Sequence, residues 1–382
     1  MAESEARFDP FKDYGSVEAK VYSSPHKYVQ KKGLIKDFGT FLKGLEAEKA
    51  GIIGEKFLLD IHGEAIVSSL KDKAGVDARM LNFGGESSWQ EVTNIVEDVK
   101  KDSIDFLVGF GGGKTIDTAK AAGYKLRIPV VIAPTLASND APCSALSVIY
   151  SAEGEFEEYF FFPDNPYIVL VDTAVVGTAP ERFVVSGMGD AMATYYEADA
   201  CNRAPHGRNM VGGRPTMCGL AIGVLCKDVL YEYGPQAAKD AAKKEVTDAV
   251  EKIIECNTLL SGLGFESGGL GAAHAIHNGM TITPKTHHAI HGEKVAFALV
   301  AQLVMEDNRE EALRVSKFNK EVGLPYKLSE LHLEASDTET LELIAKRSLE
   351  PGESIYNMPF TVTPQMVVDG MIGADELGIS LD

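Results

Sequence analysis

Five of the chain's nine histidines, His274, His277, His287, His288 and His291, fall in one short stretch. Imidazole is the commonest transition-metal ligand, and three protein ligands with one open position mark a catalytic zinc site. His274 and His277 are three residues apart in a run of small residues, Gly271-Ala272-Ala273-His274-Ala275-Ile276-His277. On a helix they share a face, and the small neighbours leave room for a ligand. No HExxH is present, so a metalloprotease lacks its motif. One site does not need five imidazoles, so at least two of them orient ligands or serve structure. The remaining ligand should be a carboxylate from another helix. Asp190 is the candidate, a lone acid in Gly187-Met188-Gly189-Asp190-Ala191-Met192-Ala193. Burying it without a partner would be costly; the plainer alternative is a helix cap.

A second constellation is Gly109-Phe110-Gly111-Gly112-Gly113-Lys114-Thr115, which follows an apolar run and leads into a helix expected from Ile116. Glycines there let backbone N–H groups approach a phosphate, and a helix N-terminus adds a favourable dipole. A Walker A loop fails at Val108 and a Rossmann GxGxxG fails at Lys114, each standing where a glycine is required. A phosphate cradle remains, against the blander possibility of a packing turn. Asp117, one turn in, could cap an amide or meet a sugar hydroxyl. The loop 134–142 (PTLASNDAP) also follows an apolar run and carries small polar residues and Asp140. Open α/β sheets bind ligands at such strand ends, so this loop reads as a second wall of one site.

The elements that must hold these groups fall into two regimes. Short β-branched runs at 50–54, 105–109, 128–134 and 167–172 alternate with amphipathic stretches such as 89–100. That alternation argues for a parallel sheet with helices on both faces. The segment 146–162, with Gly154 at its turn, reads as an inserted hairpin. Beyond 180 the pattern is helical, with candidates at 187–200, 217–233, 237–263, 293–306, 339–348 and 364–377. The boundary lies near 175–180, giving an α/β nucleotide-binding domain at 1–177 and an all-helical domain at 178–382. A ligand cleft between two such domains is the expectation.

Composition narrows the function classes. With 382 residues, 45% hydrophobic and 24% charged, the chain is globular rather than disordered. Its 37 basic against 56 acidic residues give a net charge of −19, which repels nucleic-acid phosphates and anionic lipid. Residues 1–14 mix charges and lack a signal-peptide core, and no run reaches the ~18 apolar residues of a membrane span. The five cysteines show no CxxC or paired spacing and read as reduced, mostly core thiols. A cytoplasmic enzyme without nucleic-acid or membrane partners is the expectation.

Seven motifs in register resemble the iron-containing (group III) alcohol dehydrogenase superfamily. They are GGGKTIDTAKA, PTLASNDAP, SALSVIYS, GMGDAMATYYEA, GFESGGLGAAHAIHNG, HHAIHGEKVAF and Asn357-Met358-Pro359-Phe360. They keep the family's order and span nearly the whole chain. The resemblance implies the dehydroquinate synthase-like fold, a nucleotide-binding α/β domain with a parallel sheet followed by an all-α domain. It places metal ligands on Asp190, His274 and His291. It places dinucleotide contacts on Gly112, Gly113, Lys114, Thr115, Ile116 and Asp117. Further contacts fall on Thr135, Leu136, Ala137 and Ser138, then on Ser144, Leu146 and Tyr150. Asp140 matches the carboxylate beside the substrate hydroxyls.

Iron-dependent members carry a further histidine four residues after the aspartate, where this chain has Thr194. The Asp–His–His set instead matches the glycerol-oxidising branch, which uses zinc; iron and manganese stay open. The residues between His277 and His291 depart from that branch, so the substrate mouth can differ. NAD-preferring relatives have an acid after the first strand; either Gly54 or Glu55 falls there, which leaves NADP open. The resemblance thus implies oxidation of glycerol, or a related small vicinal diol, to dihydroxyacetone with hydride transfer to NAD, in a homo-oligomer. The rival is glycerol-1-phosphate dehydrogenase, which needs several bases for the substrate phosphate; Lys285 is the evident one near the histidines. Other members act on other small alcohols or aldehydes. Dehydroquinate synthase, a lyase of the same superfamily, has Glu at the position of Asp190. A non-catalytic nucleotide-binding module would not need Asp190.

Overall fold

The computed structural model describes residues 7–14, 17–151 and 154–382. Residues 1–6, part of the segment read as lacking a signal peptide, lie outside them. In the N-terminal half the order is α1 (Pro10–Asp13), β1 (Lys27–Lys31), β2 (Lys49–Gly54), α2 (Lys56–Ala74), β3 (Asp77–Asn82), α3 (Trp89–Lys100), β4 (Phe106–Gly111), α4 (Gly113–Leu126), β5 (Val130–Pro134), β6 (Leu146–Tyr150), β7 (Phe156–Phe161), β8 (Ile168–Asp172) and α5 (Thr173–Val176). Six strands form one sheet in the order β1-β8-β5-β4-β2-β3, with every neighbouring pair parallel.

The four inner strands are the apolar runs expected from the sequence. Strands β4, β5 and β8 are buried at every residue, as sheets covered on both faces require. Their side chains join Leu34, Phe38, Leu59, Ile66 and Leu70 in one core. Burying each such side chain contributes ~1.5–3 kcal/mol. The two edge strands were not foreseen. No residue of β1 is buried and only Leu81 of β3 is, so neither shows an apolar run. Strands β6 and β7 form the expected antiparallel hairpin, with a bulge between Ile149 and Tyr150.

The chain leaves β2 for β3 on one side and returns to place β4 on the other. The strand order therefore reverses between β2 and β4. Glu55 ends the first of these strands and Gly112-Gly113 the second. Open α/β sheets form their ligand crevice at such a switch point. Helix α4 begins at Gly113 rather than at Ile116, so Lys114 and Thr115 already belong to its first turn.

The second compact unit comprises Pro180–Asp382 with short earlier stretches, among them Ser138–Asp140. Its helices are α6 (Glu181–Arg203), α7 (Met217–Ala242), α8 (Asp248–Glu255), a π-helical turn (Cys256–Leu260), α9 (Ser261–Gly268), α10 (Ala272–Met280), α11 (His291–Met305), α12 (Arg309–Val322), α13 (Thr338–Ser348) and α14 (Pro364–Ile379). Helix α11 is the axis of this unit: every residue from Val295 to Ala301 is fully buried.

Two expected boundaries shift. The helix from Met217 does not end at Tyr233; it continues through Pro235 to Ala242. The break falls at 243–247 instead, where Lys244 has φ +61° and Thr247 caps α8. Helix α12 was not among those foreseen, although Asn308 caps its start and Gly323, at φ +86°, ends it. Among the described residues, no helix is long and apolar enough to cross a membrane. Four of the five cysteines are buried, only Cys218 is exposed, and none is in a disulfide.

Candidate functional site

In the second unit, α6, α10 and α11 bring together Asp190, His274 and His291. Asp190 Oδ1 lies 3.2 Å from His274 Nε2 and 3.1 Å from His291 Nε2. The three ligand atoms all lie within 4.8 Å of one another. A single ion with bonds of ~2.0–2.2 Å could gather one carboxylate oxygen and two imidazole nitrogens so spaced.

Two glycines set that spacing. A Cβ on Gly292 would sit 1.8 Å from Ser186 O, and one on Gly189 would sit 2.4 Å from Gly292 O. Helices α6 and α11 thus touch backbone to backbone, directly beside Asp190 and His291. This accounts for the glycine preceding the aspartate and the glycine following the histidine.

Electrostatics agree with the geometry. Complete burial would raise the Asp190 carboxyl, yet the His291 and His274 imidazoles hold it well below the usual carboxylate range. Burial works against charge on His274, but Glu197 and Asp190 hold its pKa well above that of an ordinary histidine. His277 behaves oppositely. Burial, then its neighbours His291, Lys294 and His274, push it well below the usual value, so it is held neutral.

The other histidines of the cluster make different contacts. The His277 ring packs edge-on against His291 with centroids 4.2 Å apart, and its Nδ1 meets Asn278 Oδ1 at 3.1 Å. His287 Nε2 lies 2.9 Å from Thr281 O, and His288 stacks on His332 with centroids 3.7 Å apart.

Sequence reasoning missed two residues of this site. Glu197, fully buried on α6, meets His274 Nδ1 at 2.5 Å and accepts the N–H groups of Gly271 and His274. Its signal lay in the motif itself: 190, 194 and 197 line one face of a helix. Ser261 follows the π-helical turn and shares a hydrogen bond with Thr194, Oγ to Oγ1 at 2.9 Å. It also donates to Asp140 Oδ2 at 3.4 Å, while the Asp140 N–H donates to Asp190 Oδ2 at 3.1 Å. A chain of polar contacts therefore runs from Thr194, through Ser261, to Asp140.

In the first unit, the glycine loop joins β4 to α4. None of Gly109, Gly111, Gly112 and Gly113 has positive φ. Gly109 and Gly111 are required by close packing, since a Cβ would meet Ala119 Cβ at 2.8 Å and Thr115 Oγ1 at 2.5 Å. At Gly112 the nearest atom would be the flexible Leu136 side chain, at 3.1 Å. No side chain caps Gly112, the N-cap of α4. The helix start thus keeps its N–H groups and dipole available to an anion.

The remaining residues surround that helix start or brace it. The Thr135 N–H donates to Gly111 O at 3.0 Å, which sets the loop after β5 beside the glycines. Lys114 Nζ pairs with Glu86 at 2.6 Å and stands 5.5 Å from the Tyr150 ring centroid. Ile116 and Ala137 are buried, as are Ser144 and Leu146. Asp117 accepts the Val148 N–H at 3.1 Å and pairs with Lys120 at 3.0 Å. The Lys120 ammonium, nearly fully buried, also donates to Ala141 O, Ser144 O and Leu146 O. This unforeseen pair ties the loop after β5 and the hairpin to α4.

The strand expected to be the first is β2, and of Gly54 and Glu55 at its end, Glu55 faces the loop. Its Oε1 accepts Thr115 Oγ1–H at 2.9 Å, while its buried Oε2 has no hydrogen-bond partner among the described residues. A buried acceptor left so is costly until a donor arrives, and a ribose hydroxyl is such a donor.

Comparison with known proteins identifies the family. Residues 25–173 match the family model described as iron-containing alcohol dehydrogenase. The chain is 44% identical over 360 residues to a glycerol dehydrogenase of Escherichia coli O6:H1, covering 94% of this chain and 97% of that one. It is 46% identical to a glycerol dehydrogenase of Thermotoga maritima, covering 93% and 96%. The crystal structure of glycerol dehydrogenase from Schizosaccharomyces pombe superposes with a TM-score of 0.91 at 36% identity, covering 95% and 92%. The chain belongs to the iron-containing alcohol dehydrogenase family and is an alcohol oxidoreductase.

Proposed function

We propose that this protein oxidises glycerol to dihydroxyacetone, or a closely related small vicinal diol to the corresponding hydroxyketone, using NAD and a zinc ion. The observation that carries the reading is the convergence of Asp190, His274 and His291 on one point. One carboxylate and two imidazole donors suit zinc, and Thr194 is engaged with Ser261 where iron-dependent relatives have a histidine. The relatives at 44–46% identity that are named glycerol dehydrogenases support the substrate.

Asp190, His274 and His291 would hold the metal, which supplies Lewis acidity toward an alcohol oxygen when bound. The N-terminus of α4 and Glu55 would hold the dinucleotide, which supplies the hydride acceptor. The rest falls to the protein's own groups. The carboxylate of Asp140, set by its own N–H on Asp190 and by the Ser261 hydroxyl, accepts hydrogen bonds from substrate hydroxyls and passes on the departing proton. His277, neutral and packed against His291, limits the freedom of that ring. The phosphorylated-substrate alternative finds no support at Lys285, whose ammonium is paired with Asp337.

A panel of small diols and polyols, assayed with NAD and with NADP after zinc loading, tests the reading. Glycerol with NAD should give the highest kcat/KM. Turnover of glycerol-1-phosphate in preference to glycerol, or equal rates without metal, would overturn it. The resemblance further leads us to expect a homo-oligomer, which sedimentation would show.

A further inference from the structure

We infer that Glu197 is a positioning residue whose two carboxylate oxygens fix the start of α10 and the ring of His274 together, leaving only Nε2 to face the metal. The inference rests on the proposed metal centre. The N-cap of helix α10 is Gly271, which has no side chain to cap it. Glu197 supplies the missing acceptor from α6: Oε1 takes the N–H of Gly271 at 2.8 Å and that of His274 at 3.0 Å. These are the N-cap and N3 amides, among those a helix start leaves unpaired. Oε2 stands 2.5 Å from His274 Nδ1. A carboxylate only accepts, so Nδ1 must carry the proton of that bond, and the Nε2 lone pair is directed at the metal.

One rigid helix thereby sets two ligands. Asp190 and Glu197 are separated by two turns of α6, and both are fully exposure-free. The first is a proposed ligand itself; the second acts through His274. The distribution of donors makes the requirement for a carboxylate specific. Three N–H groups are shared between two oxygens, whereas glutamine offers one oxygen and an NH2 that can only donate. Glu197→Gln must therefore either abandon two backbone amides or set a donor against His274 Nδ1–H. In the second case the ring is driven to carry its proton on Nε2, which then has no lone pair for a metal.

The test is zinc affinity, measured by chelator competition on wild-type protein and on Glu197→Gln, beside a circular-dichroism spectrum of each. Loss of a partner behind a metal-bound histidine typically costs ~10–100-fold in affinity. A folded Glu197→Gln variant weakened by that range supports the inference; a folded variant with wild-type affinity overturns it. Should the variant fail to fold, zinc-loaded wild-type protein with 15N-labelled histidine decides. A His274 signal with Nδ1 protonated and Nε2 coordinated supports the assignment, and coordination through Nδ1 refutes it. Wild-type protein that takes up no zinc would instead overturn the metal reading, which keeps the two failures apart.

Discussion

Gly292→Ala is the smallest change that should dismantle the proposed metal centre without touching a ligand. The new Cβ would lie 1.8 Å from Ser186 O and 2.7 Å from Ser186 C, against the 3.4 Å at which ordinary contact begins. Both atoms are backbone of α6, so no side chain can yield, and the helices must part by ~1.6 Å or tilt by an equivalent amount. Asp190 rides on α6 and His291 on α11, and their ligand atoms are now 3.1 Å apart. Metal–ligand distances tolerate only ~0.2 Å, so a displacement of that size removes one ligand from reach. Overpacking should also cost ~1–3 kcal/mol of stability. The assay is zinc per chain after dialysis, with a thermal melt alongside. Gly44→Ala serves as control, because nothing lies within 4 Å of the position its Cβ would take. Gly292→Ala should be zinc-poor and less stable, and Gly44→Ala should match wild type. Stoichiometric zinc at wild-type affinity in Gly292→Ala would refute the backbone-contact argument.

Glu55→Ala removes the buried acceptor beside the glycine loop, and a hydrogen bond to a charged group is worth ~1.5–3 kcal/mol. NAD affinity should fall by about tenfold or more while NADP is less affected; an unchanged NAD:NADP ratio would count against the role. Gly113→Val should raise KM for the dinucleotide at least ~tenfold, equivalent to ~1.4 kcal/mol, with zinc content unaltered. Unchanged KM would make the loop a packing feature only. His62, edge-on to Phe110, has its pKa lowered from 6.5, chiefly by burial. The unfolded chain therefore takes up this proton first as pH falls, and its contribution to stability, complete above pH 6.5, declines below it. Tm should drop less between pH 7 and 5 in His62→Gln than in wild type, and equal drops would show that the shift has no weight.

What was legible in the sequence follows from where each feature lies. The inner strands could be read because both faces are buried and the apolar runs are unbroken. Strands β1 and β3 could not, because an edge strand keeps its polar residues, as Lys27 and Asp77 show. The break expected between 233 and 237 is absent: the N–H that Pro235 lacks does not end a helix whose neighbours on both sides stay packed. Asp190 stood out as a solitary acid among small apolar residues. Glu197 did not: the spacing places it on one helix face with Asp190, but the amides it accepts come from α10, a contact across helices. Glu55 could be separated from Gly54 only once the strand end showed which of the two faces Thr115.

The central claim is that Asp190, His274 and His291 hold one catalytic metal while their neighbours do not. Zinc content and glycerol-dependent NADH formation of His274→Ala and His277→Ala, purified in parallel, test it most directly. Both rings are buried on one helix and three residues apart, so loss of bulk is shared and only ligand direction differs. The account predicts that His274→Ala loses zinc and turnover together. His277→Ala should keep stoichiometric zinc at saturating metal, with turnover lowered. A His277→Ala protein that is empty, beside a His274→Ala protein that keeps its zinc, would contradict it.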